Sequence, residues 1–141
     1  MLYVDTSLLV AALSSEPMTR LAQQWLAGQE ATQLAVSHWT MTELSSALSI
    51  KVRRQEIDLE HRANALAVFN ELVADSFTLF AVSRDHFRTA AKFADQHRLG
   101  LRSGDALHLA IASEHGATVY TLDLRLAEAG PPLGVPTRLL E

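Results

Sequence analysis

Five short apolar runs recur along the chain: Leu2-Tyr3-Val4, Gln33–Ser37, Phe77–Val82, Thr118–Leu122 and Val135–Leu140. They have strand length and are rich in aromatic and β-branched residues. Segments of helical period separate them. Strands alternating with helices confine the chain to a narrow set of architectures. The pattern predicts a parallel sheet with helices on both faces, a three-layer α/β fold.

Capping residues mark the expected helix starts. Thr6 and Ser7 precede a helix over Leu8–Leu13. Pro17 suits the first turn of a second helix, with Leu21, Trp25 and Leu26 as its apolar stripe. Ser37 caps a helix reaching about Arg54, and Leu59–Ala74 forms the next. A helix from Ser83 to about His97 carries Phe87, Ala90, Ala91 and Ala94 on one face. Ser103 caps a helix over Asp105–Glu114 that ends at Gly116. Leu124–Ala129 forms a last short helix, and Val135–Leu140 reads as an edge strand. No linker-like or repetitive stretch interrupts this series, so residues 1–141 read as a single domain.

Composition narrows the chemistry. The chain has no cysteine, which excludes disulfides, thiolate zinc sites and thiol nucleophiles, and makes a cytoplasmic location the expectation. Apolar residues at 48% and charged residues at 20% argue against disorder. A formal charge of −4 argues against a cationic nucleic-acid coat protein, while leaving room for a local basic patch. No apolar stretch reaches the ~18–20 residues of a membrane span. Asp5 interrupts the opening apolar run, which also lacks a basic start, so it is not read as a signal peptide.

The acids are the informative residues. Asp5 and Asp123 each directly follow a strand. In a parallel sheet the carboxyl ends lie together, where ligands bind, so both carboxylates are expected to face one crevice. Asp105 stands at a helix start on the same side. Taken singly, each reads first as a helix cap or as a first-turn acid complementing the helix dipole. Glu43 shares a helical stripe with Trp39, Ala47 and Ile50, where a carboxylate is costly unless paired or coordinated. It reads equally as an edge residue reaching solvent, because Met41, Leu44 and Leu48 form a second apolar stripe. Four carboxylates without a central lysine or arginine suit Mg²⁺ or Mn²⁺. Such a site can activate water for in-line attack on a phosphodiester.

Asp5-Thr6-Ser7 after the opening strand, Glu43 in an early helix, Gly104-Asp105-Ala106-Leu107-His108-Leu109-Ala110 and Thr121-Leu122-Asp123 together resemble the PIN-domain pattern. The nearest likeness is to VapC-type toxins of bacterial toxin–antitoxin pairs, and it covers essentially the whole chain. It implies a PIN-like fold with a central parallel sheet of about five short strands. It also implies an Mg²⁺- or Mn²⁺-dependent endoribonuclease, homodimeric and inhibited by a cognate antitoxin, that cleaves RNA with a metal-activated water. Carried over by position, Asp5, Glu43, Asp105 and Asp123 form the acidic quartet. Asp5 and Asp105 are then the principal metal ligands, with Glu43 and Asp123 completing the set, and the Ser7 and Thr121 hydroxyls support them. One departure stands out. Many relatives have Thr-x-Asn followed three residues later by Asp, whereas here Asp123 holds the Asn position and Leu126 the later one.

The remaining polar residues carry weaker signals. His38, His61, His86, His97, His108 and His115 show no zinc-binding spacing. His108, one turn beyond Asp105, is placed either to orient it or to serve as a satisfied structural histidine. No GxSxG, GxxxxGK[ST] or GxGxxG motif occurs. Arg98, Arg102 and Arg125 are expected to flank the pocket and hold RNA phosphates. Lys51, Arg53 and Arg54 read as solvated surface. Two rival functions compete: a catalytically silent PIN-fold interaction module, and a receiver-like phosphoacceptor domain. The second needs a lysine at a late strand end, a position that neither Lys51 nor Lys92 fits.

Overall fold

Five strands, β1 (Leu2–Val4), β2 (Leu34–Ser37), β3 (Thr78–Phe80), β4 (Thr118–Thr121) and β5 (Thr137–Leu139), make one sheet in the computed structural model, which describes residues 1–141. Their order is β3-β2-β1-β4-β5, and every neighbouring pair is parallel. The helices between them are α1 (Thr6–Leu13), α2 (Thr19–Ala27), α3 (His38–Arg53), α4 (Leu59–Asp75), α5 (Arg84–Ala94), α6 (Ser103–Glu114) and α7 (Leu124–Ala129).

Alternation along the strands sorts the core into two halves. Tyr3, Ala35 and Val119 pack with Ala90, Leu109, Ile111 and Leu126 from α5, α6 and α7. Val4, Leu34 and Val36 pack with Leu8, Leu9, Leu44, Leu48 and Phe69 from α1, α3 and α4. The result is the expected three-layer α/β arrangement. No helix is long and apolar enough to cross a membrane.

The strand order positions the site. The chain steps from β1 outward to β2 and β3, then returns to β4 on the other side of β1. The direction therefore reverses between β1 and β4, and a crevice opens beyond their carboxyl ends.

Several local expectations need correction. Asp5, not Thr6 or Ser7, is the N-cap of α1. The second helix starts at Thr19 rather than Pro17. The Thr19 hydroxyl accepts from the Glu16 N–H at 2.8 Å and donates to the Ala11 carbonyl at 2.6 Å, which holds the intervening residues in a turn. α6 begins at Ser103, with Arg102 at the N-cap position and no side-chain cap. The Arg102 carbonyl already accepts from the Ala106 N–H at 3.0 Å, which draws Ser103 into the first turn. α5 ends at Ala94, before a short 3₁₀ turn over His97–Leu99.

The face of α5 also differs. Ala90 is buried as expected, but Phe87 is 58% exposed, and the buried side is completed by His86 and the partly buried Phe93. His86 can go inward because both its ring nitrogens find partners. Nδ1 accepts from the Ser83 N–H at 2.9 Å, and Nε2 bonds the Glu114 carboxylate of α6.

Gly130 closes the turn between α7 and β5 with no space for a side chain. A Cβ there would meet the Val135 carbonyl at 2.6 Å and collide with the Thr137 side chain. Gly130→Ala should therefore destabilise the fold by about 1–3 kcal/mol through overpacking. Urea unfolding checks this, and an unchanged midpoint would contradict it.

Candidate active site

β1 and β4 are neighbours, so their ends deliver Asp5 and Asp123 to the same crevice. Asp5 Oδ2 accepts three bonds: from the Ser7 N–H at 3.4 Å, the Ser7 hydroxyl at 2.6 Å and the Thr121 hydroxyl at 2.8 Å. The hydroxyl oxygens are themselves acceptors. Thr121 Oγ1 receives the Asp123 N–H at 2.9 Å, and Ser7 Oγ receives the Leu122 N–H at 3.1 Å. These bonds lock the end of β4 to the start of α1. The three bonds to Asp5 all fall on Oδ2, and its Oδ1 lies 3.8 Å from His108 Nε2. Asp123 repeats the pattern. Its Oδ1 caps α7 by accepting from the Arg125 and Leu126 N–H groups at 2.9 and 3.4 Å. Both acids are thus helix caps through one oxygen only, and the cap role leaves the second oxygen uncommitted.

Asp105 is different. It sits in the first turn of α6 without serving as a cap. Burial raises its pKa, and the charges of Asp5, Asp123 and Glu43 raise it further, to about 6, against partial relief from His108. Its charge is thus felt by the other three acids that line the crevice with it.

Glu43 reaches the crevice from α3. Trp39, Ala47 and Ile50, its stripe neighbours, line the crevice wall, whereas Leu44 and Leu48 face the core and Met41 is exposed. Glu43 Oε1 accepts from the Thr6 hydroxyl at 2.7 Å and bonds His108 Nε2. His108 is fully buried, and its Nδ1 lies 2.6 Å from the Tyr3 hydroxyl, which continues to Ser37 Oγ at 2.8 Å. Burial alone would lower the His108 pKa. Tyr3, the Glu43 hydrogen bond and the Asp5 and Glu43 carboxylates outweigh it, and the ring is held protonated. Burial likewise pushes Glu43 up, but the bond and charge of His108, with the Thr6 hydroxyl, bring its pKa below the ordinary value. Glu43 and His108 therefore form a partly buried ion pair.

This pair is the feature that the sequence left unread. His108 orients Glu43, 65 positions away, rather than Asp105, one turn away. Donor atoms of Asp5, Glu43 and His108 lie within 4.8 Å of one another. Both nitrogens of His108 are already engaged, so the oxygens are the donors left to a ligand.

The crevice has a volume of about 510 Å³, and all four acids line it with Thr6, Ser7 and Trp39. Arg102 is the one basic residue in its wall. Arg98 lies in the exposed 3₁₀ turn, and the Arg125 side chain runs past Gly100 rather than along the wall. Lys51 is tied to Glu16 at 2.7 Å and Glu56 at 3.3 Å, and Lys92 lies exposed on α5, so no lysine enters the cluster. Leu126 is fully buried in the core, where a carboxylate would be stranded. Oxygen donors of matched negative charge, with uncommitted oxygens on Asp5 and Asp123, fit a hard divalent cation.

Solved structures share the architecture. Mycobacterium tuberculosis VapC20, a sarcin-ricin loop cleaving toxin, superposes with a TM-score of 0.75 at 19% identity, over 92% of this chain and 95% of its own. DNA-bound VapBC from Salmonella typhimurium gives 0.70 at 17% identity, over 99% and 98%. A toxin–antitoxin complex from Klebsiella pneumoniae gives 0.68 at 20%, over 100% and 98%. No curated protein matches the chain by sequence. The PIN domain family model matches residues 2–130, a span that runs from β1 through the four acids to the end of α7, and the chain belongs to the PIN domain family.

Proposed function

We propose that this chain is a divalent-metal-dependent endoribonuclease, the toxin of a toxin–antitoxin pair. The observation that carries this reading is the convergence of Asp5, Glu43, Asp105 and Asp123 on one crevice at the β1/β4 switch point. The likeness to VapC20 and to the toxin–antitoxin complexes supports it. Asp5 and Asp105 would hold Mg²⁺ or Mn²⁺, with Glu43 and Asp123 completing the set. A bound cation supplies Lewis acidity and activates water for attack on a phosphodiester.

The protein's own groups do the rest. Ser7 and Thr121 fix the Asp5 carboxylate through Oδ2. His108 and Thr6 fix Glu43. Arg102 stands in the wall to receive an RNA phosphate. Excess negative charge in the crevice also suits an inhibitory partner that inserts a guanidinium, which pairs with carboxylates in a bidentate fashion. The antitoxin is expected to bind there.

The test is cleavage of a structured RNA by purified protein with Mg²⁺, Mn²⁺ or EDTA. Cleavage with either metal, its loss in EDTA and its suppression by the antitoxin are the expected results. Intact RNA under every condition would make the chain a catalytically silent interaction module.

A further inference from the structure

Gly104 lies in the first turn of α6, directly before Asp105, with ordinary helical backbone. Conformational freedom therefore does not explain a glycine there. Space does. A Cβ at this position would lie 2.7 Å from Glu43 Oε2 and 3.5 Å from Trp39 Nε1. Trp39 Nε1 is buried beside the same carboxylate. On the other side, Oε1 is held by Thr6 and by His108, which is backed in turn by Tyr3. The carboxylate is thus confined between a hydrogen-bonded wall and a bare Cα.

We propose that Gly104 and His108 are positioning residues that clamp Glu43 from two sides and set its place among the four carboxylates. The proposal rests on the metal-site reading of those acids. Gly104 acts by lacking a side chain. Any side chain there drives Oε2 away, and the fixed Oε1 makes that shift a loss of either the His108 bond or the alignment with Asp5 and Asp105. His108 acts by holding Oε1.

Gly104→Ala separates this role from folding, because alanine is the better helix former. Mn²⁺ binding, followed by the electron paramagnetic resonance of the free ion, should weaken roughly 10–100-fold in Gly104→Ala, the range for groups that orient metal ligands. His108→Gln should weaken it comparably. The decisive comparison is a double-mutant cycle with Glu43→Ala, which removes the group that the Cβ would strike. In that background Gly104→Ala should change Mn²⁺ affinity by less than about twofold. Equal losses in both backgrounds, or full affinity in Gly104→Ala alone, would overturn the proposal and leave the metal site intact. Full affinity in Glu43→Ala would instead remove Glu43 from the ligand set, and the clamp with it.

Discussion

Asp5→Asn should lose RNA cleavage by about 10³-fold while remaining folded. The amide keeps the shape of the carboxylate, and its oxygen can still accept from the Ser7 and Thr121 hydroxyls that now bond Oδ2 at 2.6 and 2.8 Å. Asn also caps a helix as well as Asp does. The variant loses only charge. Two unit charges about 4 Å apart interact by ~4 kcal/mol at the effective dielectric of a partly exposed site, and with a divalent cation the loss is no smaller, so about a thousandfold in rate is a lower figure. Asp5→Ala would be a poorer test, since it also strips the cap and the hydroxyl acceptor. The expected signature of Asp5→Asn is near-wild-type circular dichroism and unfolding midpoint with almost no Mg²⁺- or Mn²⁺-dependent cleavage. Wild-type cleavage by both Asp5→Asn and Asp105→Asn would show that Asp5 is only a helix cap, that Asp105 serves only the helix dipole, and that the reaction occurs elsewhere.

The same residue shows why the site was partly legible before the fold was known. A strand followed immediately by Asp, in a chain whose periodicity demands a parallel sheet, places that Asp at the ligand-binding edge whatever the strand order. Asp5 and Asp123 were therefore readable. Their adjacency depended on β1 pairing with β4, which local sequence does not encode. Glu43 was half readable. Its stripe with Trp39, Ala47 and Ile50 lines a crevice rather than the core, and this resolves why a carboxylate sits in an apolar row. The His108–Glu43 pair was not readable, because it depends on how closely α6 approaches α3, across which Gly104 leaves room for the Glu43 carboxylate. Arg125 is the second residue of α7, and its side chain runs past the Gly100 turn. On α5, the partners available to His86 turn that residue inward while Phe87 stays exposed.

Asp105 gives the second large effect, in which pH and metal act in opposite directions. Its folded pKa of about 6 lies above the ordinary 3.8. The folded protein therefore holds this proton longer than the unfolded chain does, and stability falls as pH rises through that window. At neutral pH the ionised group costs the metal-free fold ~1–2 kcal/mol, after discounting for solvent screening of a partly exposed carboxylate. Asp105→Asn relieves that repulsion. It gives up no cap bond, only a first-turn attraction to the helix dipole of ~0.3–1 kcal/mol. In EDTA at pH 7 the variant should therefore melt at or above the wild type, and near pH 4, where Asp105 is already protonated, the advantage should vanish.

Metal reverses the order. Binding to the native state adds roughly 2.7 kcal/mol at a hundredfold excess over Kd, so saturating Mn²⁺ should stabilise the wild type far more than Asp105→Asn. Because the ligand must be deprotonated, wild-type Mn²⁺ affinity should also fall about tenfold between pH 7 and pH 5, a limb that Asp105→Asn lacks. Thermal melts with and without Mn²⁺ at three pH values read all of this. Equal Mn²⁺-induced shifts in wild type and variant would mean that Asp105 serves the helix dipole alone. A raised carboxylate pKa would then be a cost of crowding with no ligand to relieve it.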